Sequence, residues 1–248
     1  MNQNMNIREN RSEKDVDGKV TAIVLAAGRG KRMESDIQKQ YMELLGKPLI
    51  YYSLAAFEKS TVDQIVLVTG SGEEEFCRKE IVERFGFRKV SAVVAGGKER
   101  YHSVYEGLKA AAGSSYVLIH DGARPCVTTD IIQAAIAGAA ENGACVIGMP
   151  GKDTIKIADE ADYAESTPDR NRLWMIQTPQ AFSYGLITDA YTKLMAAENP
   201  TVTDDAMVLE KMTGKKVKLV PGSYRNIKIT TPEDLIVAEA YLRHPQEK

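Results

Sequence analysis

Val20-Thr-Ala-Ile-Val-Leu-Ala-Ala-Gly28-Arg-Gly30-Lys-Arg32-Met33-Glu-Ser-Asp-Ile-Gln-Lys39-Gln40 is the stretch on which the reading of this chain turns. Val20 to Ala27 is an apolar run that breaks into a loop carrying Gly28 and Gly30. Such a run reads as a buried strand that ends in small residues. With no side-chain bulk in the way, backbone amides there can approach a phosphate. Arg29, Lys31, Arg32 and Lys39 add charge for a polyanion. Two other phosphate loops are excluded. No Gly-x-x-x-x-Gly-Lys-Ser/Thr occurs, and Met33 stands where the dinucleotide fingerprint needs its third glycine. The stretch predicts a nucleotide site that grips a triphosphate with side-chain cations as much as with a helix terminus. Taken singly, Arg32 and Lys39 could equally be solvated surface cations.

The rest of the chain supplies the fold around that strand. Strand-like runs recur at Val20–Ala26, Gln64–Val68, Val90–Val94, Tyr116–His120 and Ala144–Met149. Helical patterns alternate with them: Leu49–Glu58 after Pro48, Glu73–Phe85, Glu99–Ala112, and Thr129–Asn142 with Thr129 as its cap. This order predicts an α/β architecture, a Rossmann-like, mostly parallel sheet with helices on both faces. Ligands of such sheets sit at the carboxyl ends of the strands, which puts Gly28, Asp121 and the loop after Val94 on one rim. Residues 151–174 break the pattern and read as an extended β-hairpin arm. Too polar to bury a core of its own, it is expected to pack on another subunit. Helices at Ser183–Ala197, Thr203–Thr213 and Pro232–Arg243, and strands at Leu173–Gln177 and Lys216–Val220, complete the chain. The domain is expected over 19–243, with a disordered leader at 1–18 and a tail at 244–248.

Composition narrows the partners. The 248 residues carry 32 basic and 34 acidic side chains, a net charge of −2, which argues against broad nucleic-acid or membrane-surface binding. Cys77, Cys126 and Cys145 have neither disulfide nor zinc spacing, so a cytoplasmic location is expected. No apolar run approaches the ~20 residues of a membrane helix.

Two further clusters carry chemistry. In Gly96-Gly97-Lys98-Glu99-Arg100-Tyr101-His102-Ser103, a Gly-Gly loop opens a helix and presents free backbone N–H groups, with Arg100 and Ser103 on the first turn. It can read a nucleobase edge or be an ordinary helix start. In His120-Asp121-Gly122-Ala123-Arg124-Pro125, the strand delivers Asp121 to the rim. A carboxylate beside a triphosphate suits Mg²⁺, or it caps the turn. Polar groups scattered through the last third, each with a turn or cap reading, jointly suit a polyhydroxylated phosphate monoester.

These motifs stand in one order. Ala26-Ala27-Gly28-x-Gly30-x-Arg32-Met33 with Lys39-Gln40 resembles the opening of the sugar- and polyol-phosphate nucleotidyltransferases. Gly96-Gly97-x-Glu-Arg-x-x-Ser103, His120-Asp-x-Ala-Arg-Pro125, Asp153-Thr-Ile-Lys156, Asp169-Arg-Asn-x-Leu-Trp174, Thr178-Pro-Gln180, Thr203-Asp204 and Asn226-Ile-Lys228 follow. Together, over about residues 19–243, they resemble the 2-C-methyl-D-erythritol 4-phosphate cytidylyltransferase family. The resemblance implies cytidylyl transfer from CTP to a polyol phosphate, with Mg²⁺, in a homodimer joined by interlocked arms. Carried over by position, Ala26, Ala27, Gly28, Gly97, Arg100 and Ser103 hold the cytidine, and Arg32 and Lys39 are the catalytic cations. Asp121 meets the metal and the acceptor. Thr178, Thr203 and Lys228 bind the acceptor, with Thr154 and Arg170 reaching in from the partner's arm. Lys98, Gly122 and Gln38 depart from the family's usual Asp, Ala, and Pro or Asn. Ribitol-5-phosphate cytidylyltransferases share the loop, base site and arm, and a non-catalytic nucleotide-binding subunit could share the fold.

Overall fold

The computed structural model describes residues 16–28, 38–198 and 200–244. Strand β1, Val20–Ala26, lies inside a seven-stranded sheet. A two-residue hairpin, β2 (Glu43–Leu44) with β3 (Lys47–Pro48), leads into helix α1, Leu49–Lys59. Then come β4 (Gln64–Thr69), α2 (Glu74–Phe76, continuing as a π-helical segment Cys77–Glu83), β5 (Val90–Ala95) and α3 (Arg100–Ala110). They are followed by β6 (Tyr116–Asp121), α4 (Thr129–Asn142) and β7 (Ala144–Pro150). A small hairpin, β8 (Ile157–Ala158) with β9 (Ala164–Ser166), precedes β10 (Trp174–Ser183). Helices α5 (Tyr184–Met195) and α6 (Asp205–Thr213), strand β11 (Lys218–Pro221) and helix α7 (Pro232–Arg243) close the chain.

The sheet order is β11-β7-β10-β6-β1-β4-β5. β1 pairs in parallel with β4 and β6, β4 with β5, and β11 with β7, while β10 runs antiparallel between β6 and β7. Strand alternation sends Ala22, Val24 and Leu67 to one face, where they meet Ile50, Leu54 and Phe57 of α1 and Ile132 and Ala135 of α4. Ile23, Val66 and Ile119 point to the other face, against Leu108 of α3, Ile187 of α5 and Leu209 of α6. The expected mostly parallel sheet with helices on both faces is what forms.

Three local expectations are corrected. Thr128, not Thr129, caps α4, its side chain accepting the Ile131 N–H at 3.3 Å. Helix α6 starts at Asp205 rather than at Thr203, because Asp204 turns its side chain back to the Met207 N–H. Strand β10 reaches Ser183, well past Gln177, and fills the sheet interior. Pro179 argues against a central strand because it has no N–H. Here the pairing with β7 shifts between Ile176 and Gln180, and the Thr178–Pro179 peptide in that gap is cis. Val16 packs against the core, while residues 1–15 and 245–248 of the expected leader and tail lie outside the described residues.

Candidate active site

The strand order reverses at β1, with β4 and β5 on one side and β6 on the other. Beyond the carboxyl ends of β1 and β6 opens a cleft of about 1200 Å³. Ala26, Ala27, Gly28, Lys39, Gly97, Arg100, Ser103, Asp121 and Lys228 all line it. Sequence reasoning named each of these, and the fold brings them to one place from well-separated loops.

Close packing explains the Gly-Gly loop. A Cβ on Gly96 would lie 2.6 Å from Ser103 Oγ and 2.7 Å from Ala27 Cβ, and one on Gly97 would lie 2.4 Å from His102 Cβ. The loop can press on α3 and on the β1 loop only without side chains. Ser103 Oγ accepts the Gly97 N–H at 3.1 Å, and His102 Nδ1 accepts the Glu99 N–H at 3.2 Å in a capping box. Ser103 thus shapes the loop that frames the cleft. Gly122 is explained in the same way. Ile50 Cδ1 would be 2.3 Å from a Cβ there, so the isoleucine fills the space an alanine methyl would need.

Opposite charges alternate along the floor. Arg100 Nε donates to Asp121 Oδ1 at 3.3 Å, and Lys228 Nζ meets Asp121 Oδ2 at 2.7 Å. Burial pushes the Asp121 carboxyl upward, but Arg100 and Lys228 outweigh it and hold it well below the usual carboxylate range. On its far side Arg100 is gripped by Asp205, Nη1 to Oδ1 and Nη2 to Oδ2, each at 2.8 Å. Burial pulls the Arg100 guanidinium down, and Asp205 and Asp121 more than reverse it, so the group is firmly cationic. Behind Asp121, its N–H donates to Thr178 Oγ1 at 3.1 Å, and that hydroxyl lies 3.0 Å from His120 Nδ1. Burial drives the His120 imidazole down to about 3, so it is neutral near pH 7. His120 is structural.

Lys39 reaches the cleft wall from a short 3-10 turn, its Nζ donating to the Ile229 carbonyl at 3.2 Å. That turn is tethered. Tyr41 Oη donates to Glu73 at 2.8 Å, Gln38 donates to the same carboxylate, and Gln40 Nε2 donates to the Ala26 carbonyl. Glu73 also accepts the Gly70 N–H at 3.2 Å.

Glu73 and Asp205 are the carboxylates holding the site's surroundings that sequence reasoning did not single out. Glu73 reads as an acid suited to a helix start. Asp205 is betrayed only by spacing, since Asp205, Val208 and Leu209 share the buried face of α6.

Four named residues do not line this cleft. Thr178 sits one layer behind it. Thr203 is exposed, with its hydroxyl 3.6 Å from the Met207 sulfur. Thr154 and Arg170 lie on the arm, whose residues 152–167 are all exposed, and Arg170 Nη1 donates to the Lys152 carbonyl at 3.2 Å. Arg32 lies outside the described residues.

Among the described residues no cluster of three His, Cys, Asp or Glu could cage a metal. Asp121 nonetheless fits Mg²⁺, which takes one or two carboxylates and completes its shell with substrate phosphates and water. Each Asp121 oxygen carries one cation in the structure and keeps a second lone pair.

Comparison with known proteins gives one answer. A family model described as 2-C-methyl-D-erythritol 4-phosphate cytidylyltransferase matches residues 20–244. The protein of that name from Lachnoclostridium phytofermentans is 52% identical over 229 residues, covering 92% of this chain and 98% of its own. The one from Geotalea uraniireducens is 48% identical over 229 residues, covering 91% and 97%. Among solved structures, the 4-diphosphocytidyl-2C-methyl-D-erythritol synthase of Anaerococcus prevotii aligns with a TM-score of 0.80 at 37% identity, covering 91% of this chain and 96% of its own. The cytidylyltransferase of Thermus thermophilus aligns with a TM-score of 0.72 at 28% identity, covering 90% and 98%.

Proposed function

Because this chain belongs to the 2-C-methyl-D-erythritol 4-phosphate cytidylyltransferase family, we propose that its rim cleft is where cytidylyl passes from CTP to methylerythritol phosphate. The products are CDP-methylerythritol and pyrophosphate. The observation that carries the site assignment is the convergence of Ala26–Gly28, Lys39, Gly97, Arg100, Ser103, Asp121 and Lys228 on one cleft.

The acceptor brings its own nucleophile. A phosphate monoester is largely dianionic at neutral pH, its second pKa being about 6, so no general base is required. One acceptor oxygen bonds to the α-phosphorus as the bond to the β-phosphate's bridging oxygen breaks. The obstacle is the approach of two anions. Lys39, with Arg32, stabilises charge on the α- and β-phosphates. Lys228 and Asp121 seat the acceptor, the ammonium on its oxygens and the carboxylate on its hydroxyls. The small residues of the β1 loop and the Gly96-Gly97 turn let backbone groups close on the cytidine. Asp121 would hold Mg²⁺, which would supply further charge neutralisation when bound.

Two copies form the working unit in this reading. The exposed arm carries Thr154 and Arg170 away from their own cleft, and a second copy's cleft is the site they would complete. The cytoplasm is the proposed location. Cys77, Cys126 and Cys145 are all free thiols, and no described helix is long and apolar enough to cross a membrane.

The test is product analysis with CTP, Mg²⁺ and either acceptor. Methylerythritol phosphate should yield pyrophosphate and a CDP-alcohol by mass spectrometry, with ribitol 5-phosphate far slower. Preference for ribitol 5-phosphate would reassign the acceptor, and no product from either would overturn the catalytic reading.

A further inference from the structure

Asp205 opens α6, is wholly buried at 0% exposure, and has no part in the chemistry above. A carboxylate removed from water is costly unless it is paired and hydrogen-bonded. Asp205 is paired three ways. It takes both Nη groups of Arg100 at 2.8 Å, and the Tyr191 hydroxyl donates to Oδ1 at 2.6 Å. Tyr191, on α5, is wholly buried too.

Two parallel bonds fix the plane of a guanidinium as well as its place. With the facing N–H of each Nη given to Asp205, the guanidinium plane is set so that Nε donates to Asp121 Oδ1. The row then reads Asp205 (−), Arg100 (+), Asp121 (−), Lys228 (+), with no surplus charge. Without its clamp, Arg100 would present a free Nη pair to the cleft. Such a pair is the best geometric match a protein has for a phosphate. It would hold the triphosphate in the ground state, away from its reacting position, and release Asp121 from one partner.

We infer that Asp205 is a positioning residue for cytidylyl transfer, which pins Arg100 edge-on to Asp121 and keeps its Nη pair off the triphosphate. The inference rests on the reading of the cleft given above. It makes the α5–α6 layer, which contributes no residue to the cleft lining, a determinant of turnover.

Asp205→Asn keeps the shape and removes the charge. It is expected to lower kcat by about 10²-fold, the scale on which misplacement of a reacting group acts. KM for CTP should stay level or fall, the signature of binding gained in the ground state. Tyr191→Phe keeps the carboxylate and removes one donor. It should lower kcat by about 5-fold, the equivalent of one ordinary hydrogen bond. Both are assayed per folded molecule, with circular dichroism and calorimetric CTP binding as controls.

A residue serving stability alone would lower the melting temperature and leave kcat per folded molecule at the wild-type value, and that result overturns the inference. If Asp205→Asn does not fold, Tyr191→Phe decides alone: reduced kcat at level KM supports the inference, and unchanged kcat ends it. Wild-type enzyme that makes no pyrophosphate with either acceptor would instead defeat the reading of the cleft, and the inference with it.

Discussion

His120 and Asp121 are neighbours on β6 with opposite electrostatic fates. Asp121 reaches the cleft and is kept ionised by Arg100 and Lys228, whereas His120 packs under α1 against Phe57 and is kept neutral by burial. The histidine makes acid sensitivity a residue-scale property. Unfolded, it takes a proton near its ordinary 6.5; folded, it resists down to about 3. The unfolded state therefore binds the extra proton between those values, and stability falls as pH drops through that window. Above it the contribution is complete. Urea unfolding of wild type and His120→Asn should diverge in slope by about 1.4 kcal/mol per pH unit between pH 6 and 4, on top of any constant offset. Parallel curves would contradict the assignment. At this scale the sequence was informative at strand ends: Gly28, Asp121 and the loop that holds Gly97 could be placed on the rim from strand periodicity and the carboxyl-end rule. Asp205 could not, because its meaning depends on Arg100, 105 residues away.

Helix ends carry the lesson at the scale of elements. The last helix was legible to the residue, since Pro232 and the Thr231–Asp234 capping box mark its start without help from the rest of the fold. The start of α6 was not, because three polar residues in a row can each cap. Asp204 takes the role with support from afar, as Gln180 Nε2 on β10 donates to its Oδ2 at 2.9 Å while Oδ1 caps Met207. Asp204→Ala should therefore cost about 1–2 kcal/mol in chemical denaturation, the range for a lost cap. A loss below about 0.3 kcal/mol would show that the cap contributes nothing. The second half of β10, beyond Gln177, escaped the sequence for a different reason. Pro179 reads as a strand breaker, and only the shifted pairing with β7 lets a proline lie between two central strands.

The whole molecule separates a cleft built on the sheet rim from an exposed arm. The arm's outline was legible, because a polar, alternating segment without a helical period cannot bury itself. What the arm packs on cannot be read there, because one chain's sequence holds no record of a second chain's surface. The proposed interlocking makes a specific demand: Lys39 and Arg170 of one working site would come from different copies. Lys39→Ala and Arg170→Ala proteins, each deficient alone, should recover activity when co-expressed, since a mixed C2 dimer holds one intact site. With random pairing, the recovery approaches about a quarter of wild type. No recovery would place both residues in one chain's site or remove Arg170 from the chemistry.

Fixed cations in the β1–β6 cleft, on this account, lower the barrier at the α-phosphorus. The direct measurement is pyrophosphate release by wild type and Lys39→Ala at saturating CTP, Mg²⁺ and methylerythritol phosphate, with CTP binding followed by calorimetry. The variant should bind CTP within a few-fold of wild type and turn over about 10²-fold more slowly or worse, as when one transition-state donor is lost. Near-normal turnover in Lys39→Ala would contradict the claim.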